Sequence, residues 1–251
     1  MTLTKVLTAT AILATSGAAS ADFIGLHIGA ESWNYDMDGY ISSGNENIDL
    51  NQDLGLKDDD GSIYHIAFEH PVPFLPNVKL QKNNLDGSAI GNATQTFTFN
   101  DVTFVEGSEL ASRYDLTHTD YTLYYELLDN WVNLDLGLTG KDFDGSMEVN
   151  YTATTGTVGS RLDLKGTVPA VYGKAQFDLP FTGLSTGATF NIGEKSGDKI
   201  SDIKAYLAYE GDSGIGLELG YRTFDVEFDD FDSLSSDITI DGFYAGFTLH
   251  L

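Results

Sequence analysis

Residues able to do acid–base, nucleophilic or metal chemistry are few. The sequence holds five histidines, His27, His65, His70, His118 and His250, and no cysteine. Without cysteine there are no disulfide frameworks, no thiolate zinc sites and no lipid attached to an N-terminal thiol. The one tight grouping of a histidine with carboxylates is His118 with Asp115 and Asp120. Acyl or peptide chemistry also needs a nucleophile or an aligned water. The neighbours on offer are Thr117 and Thr119, so no catalytic residue is assigned and no enzymatic activity is expected. Three acidic runs could supply oxygen ligands: Asp58-Asp59-Asp60-Gly61, Asp142-x-Asp144-Gly145, and Asp225 to Asp232. None completes a D-x-D-x-D-G-x5-E calcium loop, because Leu56 and Gly140 stand at the first ligand position. No metal or cofactor site is assigned, and loose association of divalent cations with acidic loops is the remaining expectation.

The chain has 251 residues, 41% of them hydrophobic and 12% aromatic, which supports a folded body. Lys and Arg total 13 against 38 Asp and Glu, a formal charge of −25. A nucleic-acid partner is excluded as an expectation, since nothing would neutralise its phosphates. Glycine, threonine and aromatic content favours strands over helices.

Residues 1–21 carry Lys5, then an apolar run from Val6 to Ala14, then Ala19-Ser20-Ala21. This pattern predicts a cleaved secretory signal peptide, with an exported domain over 22–251. Later apolar stretches are broken within a few residues by polar or charged ones, so no membrane-spanning helix is expected.

The elements that must position any site follow from a period-two alternation. Val132, Leu134, Leu136 and Leu138 alternate with Asn133, Asp135, Gly137 and Thr139, and Ile215, Leu217, Leu219 and Tyr221 alternate with Gly216, Glu218, Gly220 and Arg222. A helix of period 3.6 would scatter each set around its surface, whereas a strand keeps it on one face. Comparable runs begin near residues 24, 64, 78, 121, 171, 184, 203 and 242, giving ten predicted strands, with eight as the alternative count. Tight connections at 70–77, 129–130, 180–183 and 211–214 alternate with polar ones predicted as loops over 34–61, 84–112, 141–166, 193–199 and 224–237. All turns therefore lie at one end of the sheet and all loops at the other.

That pattern predicts an all-β fold, a single transmembrane antiparallel up-and-down β-barrel with short turns on one side and acidic loops on the other. Hydrocarbon offers unpaired backbone groups no partner, so a spanning sheet must close on itself. A soluble barrel would alternate too, but would turn its apolar face inward. Here the polar parity carries Gly, Asn and Thr with charges of both signs, including Glu69, Lys79, Glu126, Lys174, Lys204, Glu218 and Arg222, as suits a narrow interior stitched by ion pairs. On the same parity Tyr124, Tyr172, Tyr206 and Tyr244 are expected inside, while Trp33, Tyr35, Trp131 and Phe181 are expected at the membrane interfaces.

The final segment, Phe243-x-Ala245-x-Phe247-x-Leu249-x-Leu251, resembles the terminal β-signal of Gram-negative outer-membrane proteins, although it ends in Leu where Phe is usual. The resemblance points to the small single-barrel outer-membrane proteins, of the OmpA, OmpX and OmpW type in broad terms. It implies an outer-membrane location, contact with membrane lipids and lipopolysaccharide, and reading of Phe243, Phe247 and Leu251 by the barrel-assembly machinery. The ten-stranded omptin proteases place Asp and His at the extracellular rim, and only His118 with Asp115 and Asp120 is comparable here. The expected role is structural or surface-interacting, as a monomer. The alternatives are a narrow cation-preferring pore, since barrels of this size are just wide enough for side chains to fill, and an outer-membrane protease or lipid-modifying enzyme.

Overall fold

The computed structural model describes residues 24–42, 46–153, 156–231 and 234–251. The signal-peptide expectation for residues 1–21 lies outside them. The strands are β1 (Gly25–Ser42), β2 (Ile48–Asp49), β3 (Asp58–Glu69), β4 (Asn77–Asn84), β5 (Asp86–Asn92), β6 (Phe97–Phe99), β7 (Val102–Phe104), β8 (Glu109–Asp115), β9 (His118–Asp129), β10 (Val132–Ala153), β11 (Gly156–Leu179), β12 (Leu184–Lys195), β13 (Asp198–Glu210), β14 (Ile215–Phe231) and β15 (Leu234–His250). Ten of them, β1, β3, β4 and β9 to β15, pair antiparallel in chain order, and β15 returns to β1 from His27↔His250 to Ser42↔Ser235. The barrel is closed, up-and-down and ten-stranded.

Outward residues are apolar over one continuous belt. Leu138, Leu207, Leu219, Phe243 and Phe247 are each more than 60% exposed. Each large apolar side chain left in water forgoes about 1.5–3 kcal/mol of burial, and patches beyond a few hundred Å² mark contact with a partner or a membrane. Exposed Phe74, Trp131 and Phe181 sit at the short turns on one margin of this belt. Phe74 and Phe181 both hold a left-handed φ of 66°, a conformation costly for a bulky residue, and the hydroxyl of Tyr125 fastens the first turn by donating to the Phe74 carbonyl at 2.9 Å.

The other margin is a change of phase. Along β14 the outward set runs Ile215, Leu217, Leu219, Tyr221 and then Thr223, Asp225, Glu227. The inward set runs Gly216, Glu218, Gly220, Arg222 and then Phe224, Val226, Phe228. The backbone does not change register there; the hydrophobic residues change faces. On β11 the switch falls between outward Val171 and outward Thr167, and on β4 between Leu80 and Lys82. Within the belt the barrel is greasy outside and polar inside. Beyond it the same strands enclose an apolar core, and we call this part the head.

The switch explains where the predicted loops differ from the structure. The spans 141–166 and 224–237 are mostly strand, the upper parts of β10, β11, β14 and β15, and β1 and β3 likewise run into 34–61. The span 84–112 holds β5, β6, β7 and part of β8. β10 has 22 residues. At about 3.3 Å per residue it is about 70 Å long, roughly twice what a tilted strand needs to cross a bilayer.

Candidate functional site

The interior of the belt is filled in tiers. Nearest the short turns, Glu69 takes hydrogen bonds from the Tyr124 hydroxyl at 2.7 Å and contacts His27 Nε2 at 3.0 Å, while the His27 and His250 rings stack 4.0 Å apart. Lys174 reaches Asp135 at 3.7 Å. Above them Glu31 pairs with Lys204 and lies 3.5 Å from His65 Nδ1. The Lys204 ammonium sits 4.7 Å from the centre of the Tyr244 ring, whose hydroxyl donates to Glu218 at 2.6 Å. Gly29 makes room here, because a Cβ on it would meet the His65 ring at 2.1 Å. His27, His65 and the four tyrosines assigned to the inward parity all line this interior. Three of those tyrosines use their hydroxyls, Tyr206 by donating to Gln176 Oε1 at 2.9 Å.

The top tier lies at the phase switch. Arg222 binds Asp202 through Nε at 2.8 Å and Nη2 at 2.9 Å, and donates to Asn83 Oδ1 at 3.0 Å. Lys141 Nζ bridges Asp202 at 2.7 Å and Asp120 at 2.8 Å. Two cations and two carboxylates thus cancel. Arg222, Lys141 and Asn83 are fully buried, and Trp33 roofs the guanidinium at 4.6 Å with Phe224 beside it. Above the roof, Ile63, Phe143, Met147, Leu164, Val168 and Ile240 from the strands pack with Leu50, Leu54, Phe97, Phe99 and Phe104 from the connecting segments.

The sequence grouping around His118 takes a different form. Its ring is fully buried between Phe143 and Phe224, with Nδ1 against the Leu116 carbonyl at 2.9 Å. Its Nε2 stands 3.8 Å from Asp120 Oδ1, and neither atom makes a hydrogen bond. Asp115 turns away to accept the Thr117 N–H at 2.9 Å. The three residues therefore do not form a rim site. Trp33 and Tyr35, expected at an interface, are instead buried inward on the parity of His27 and Glu31, within the head.

The acidic excess lies on the outside of the head, mainly on strands. Across β3, β1 and β15, Asp58 is opposite Asp36, which is opposite Asp241. Farther along the same face stand Asp60, Asp38, Asp237 and Asp225. Among the described residues, no three histidines or carboxylates converge to hold a metal ion. Inside the wall Tyr35 and Tyr114 share a hydroxyl contact of 2.8 Å, and Tyr114 donates to Asp59 at 3.3 Å. Burial pushes both phenols above the ordinary tyrosine range, and the neighbouring aspartates push the same way.

The head wall is incomplete at one place. The β3–β4 ladder ends at Ser62↔Asn84, where Leu85 turns fully inward. Beyond it, β5 and β8 continue β4 and β9, β8 pairs with β10 and β5 pairs with β8. Nothing pairs β5 with the Asp58–Gly61 part of β3. Continued register would set Asp60 against Asp86, a like-charge pair that weakens a ladder. A cavity of about 80 Å³ opens there, lined by Tyr35, Lys57, Asp58, Asp59, Ser88 and Tyr114 among others.

No protein-family profile matches the chain, and no curated protein matches it. Solved structures do. The outer-membrane protease OmpT of Escherichia coli superposes with a TM-score of 0.56 at 10% identity, covering 94% of this chain and 99% of that one. Ail, the attachment invasion locus protein of Yersinia pestis, gives 0.35 at 10% identity over 90% and 99% of the two chains. A FadL homologue of Pseudomonas aeruginosa gives 0.35 at 8% identity over 91% and 90%. The likeness to OmpT establishes the fold, a ten-stranded barrel of the outer-membrane kind, and no narrower OmpA, OmpX or OmpW type is singled out.

Proposed function

We propose that this protein is a sealed outer-membrane barrel with a structural and surface-interaction role, exerted by the head that it holds above the membrane. The carrying observation is the top tier. Arg222, Lys141, Asp202 and Asp120 close the barrel axis with no exposed charge, and the apolar core sits directly on them. A solute would have to break buried ion pairs and part a packed core, so conduction is disfavoured at two levels. What remains accessible is the outer face of the head, crowded with aspartate.

The outer-membrane location is supported by the apolar belt, its aromatic margin at the short turns and the barrel's likeness to OmpT. In that setting Phe243 and Phe247 project from β15 into lipid, and Leu251, whose backbone exchanges 3.0 Å hydrogen bonds with Leu26, completes the surface offered to the assembly machinery. Lipopolysaccharide is the lipid next to the head, where divalent cations would bridge its phosphates to the aspartates. We take it to be a non-catalytic monomer; the grouping of His118 with Asp115 and Asp120 is not assembled as a site, and the His118 ring is fully buried between Phe143 and Phe224.

Membrane fractionation with heat-modifiable gel migration, followed by planar-bilayer recording of the purified protein, tests the reading. The expected result is a heat-modifiable protein in the outer-membrane fraction that gives no discrete conductance steps. Stable cation-selective steps would transfer the assignment to a pore, and recovery in the soluble periplasm would remove the membrane role.

A further inference from the structure

We propose that a groove on the outside of the belt, over the seam where β15 meets β1, is a binding site for lipopolysaccharide, with a phosphate on Lys82 and an acyl chain in a notch above Ala30. The proposal rests on the outer-membrane reading above and goes beyond it by naming a contact that needs no divalent cation. The groove has a volume of about 680 Å³ and slants from Lys82 and Thr119, at the phase switch, down to Ile215 beside the short turn 211–214. Volumes of about 300–1,000 Å³ are those of pockets that hold small ligands. One small residue sets the floor. Ala30 on β1 has Tyr64 of β3 opposite it on one side and Phe247 of β15 on the other, and both rings are exposed. A methyl group between two aromatic rings leaves a notch, walled further by the exposed side chains of Ile28, Ile66 and Leu80. An acyl chain laid into it gains dispersion contacts on both flanks that a flat apolar face does not offer.

The upper end of the groove supplies the polar contacts. Lys82 is flanked in register by Tyr64 on β3 and Thr119 on β9, and all three are on the outward face. Among the described residues, the Lys82 ammonium and the hydroxyls of Tyr64 and Thr119 have no hydrogen bond or ion pair. Other lysines toward this margin are engaged: Lys199 by Glu227 at 2.8 Å, Lys165 by Asp144 at 3.1 Å, and Lys195 by the Thr167 carbonyl at 2.8 Å. The carboxylate in the same row, Asp142, already accepts the Thr167 hydroxyl at 2.7 Å. Elsewhere the switch is edged by Asp225 and Asp241, so an anionic headgroup is repelled there and drawn to the side where Lys82 stands free. Charge-assisted hydrogen bonds to phosphate are roughly twice as strong as neutral ones. Lipopolysaccharide carries phosphates above several acyl chains and occupies the leaflet on the side of the head, so one molecule fills both ends of the groove.

The test uses the full-length protein in detergent micelles with EDTA, which removes cation bridging to the aspartates of the head, and deep-rough lipopolysaccharide as the probe. Binding is read by native mass spectrometry and by the temperature at which folded, heat-modifiable migration is lost. The native protein should bind saturably and hold its folded migration to a higher temperature, since a ligand that binds only the folded state stabilises it. Lys82→Gln should weaken binding about tenfold or more, the loss of one hydrogen bond to a charged group, and Lys82→Arg should retain it. Toward the same lipid stripped of its phosphates, the native protein and Lys82→Gln should bind alike. Ala30→Phe fills the notch and should weaken both lipids, with heat-modifiable migration retained in every variant. Phosphatidylglycerol binding as tightly as lipopolysaccharide would overturn lipopolysaccharide as the occupant. Equal binding by the native protein and Lys82→Gln, undiminished binding by Ala30→Phe, or binding that appears only when magnesium replaces EDTA would overturn the site. So would no saturable binding up to about 1 mM, the weak end of specific affinity. Each of these failures leaves the outer-membrane location, read separately by fractionation, standing.

Discussion

Arg222 holds Asp202 with two parallel hydrogen bonds, 2.8 and 2.9 Å, at a depth where the arginine is fully buried and the aspartate nearly so. The pair is on adjacent strands, β13 and β14, and Asp202 is shared with Lys141 from across the barrel. Removing one member of a buried ion pair leaves the other charge uncompensated, which costs about 3–5 kcal/mol, whereas removing both leaves the balance intact. Arg222→Met is therefore expected to lower urea stability by about that amount. Arg222→Met with Asp202→Leu, which retains Lys141 with Asp120, should recover most of it. Simple additivity of the two single losses in a denaturation cycle would refute the coupled network.

The apolar belt yields a discriminating pair of substitutions. Leu219 is outward and 63% exposed, and Asp225 is outward on the same strand beyond the phase switch. If lipid covers the belt, Leu219→Arg costs about 2–4 kcal/mol near the bilayer midplane, and Asp225→Arg costs little. Folding yield into lipid vesicles should drop for the first variant and hold for the second. In a barrel surrounded by water, an exposed Leu219→Arg would be tolerated, so equal yields would count against membrane insertion.

The phenol pair in the head gives a pH dependence with a defined sign. Burial raises both Tyr35 and Tyr114 above their ordinary value of 10.0, so the folded head prefers neutral phenols. The unfolded chain ionises them first. Their contribution is complete below about pH 10 and is lost as pH climbs beyond it, by about 1.4 kcal/mol per pH unit for each phenol. Urea midpoints measured at pH 9 and 11 should fall for the native chain. The fall should be shallower in Tyr35→Phe with Tyr114→Phe, although that variant starts from a lower stability. Identical slopes would show that these phenols do not control the alkaline limb.

Strand count, the inside and outside faces of the belt and the position of the short turns were legible because the alternation is strict wherever hydrocarbon demands it, as at Leu134 to Leu138 and Ile215 to Tyr221. The head was not legible by the same rule. Above Tyr221 the apolar residues move to the other parity, and a search for greasy exteriors stops there, reading Phe224, Val226 and Phe228 as part of a polar loop. Trp33 and Tyr35 were misplaced for a related reason. Their parity with His27 and Glu31 put them inside, but their aromatic character suggested an interface. The pairing of Arg222 with Asp202 depends on which strands are neighbours, and the gap beside Asp86 depends on Leu85 leaving the ladder. Neither relation has a local sequence signal beyond charge on the inward face in one case and consecutive aspartates in the other.

The outer face of the head makes the last expectation. Asp36 lies between Asp58 on one neighbouring strand and Asp241 on the other, and Tyr221 also donates a hydrogen bond to Asp241 from the edge of the belt. Like charges directly opposite destabilise a sheet, and the repulsion is electrostatic, so salt and bridging cations should relieve it. Asp36→Asn removes the central charge while preserving the size of the side chain. At low ionic strength this variant should have a higher urea midpoint than the native protein. The gain should shrink as sodium chloride is raised toward 1 M, where charges screen within about 3 Å, and millimolar magnesium should produce the same convergence at far lower ionic strength if divalent cations bridge these carboxylates. Magnesium acting no more strongly than sodium at equal ionic strength would reduce the cation effect to screening. An unchanged midpoint in every condition would mean that the aspartate row stands far enough apart in solution not to repel.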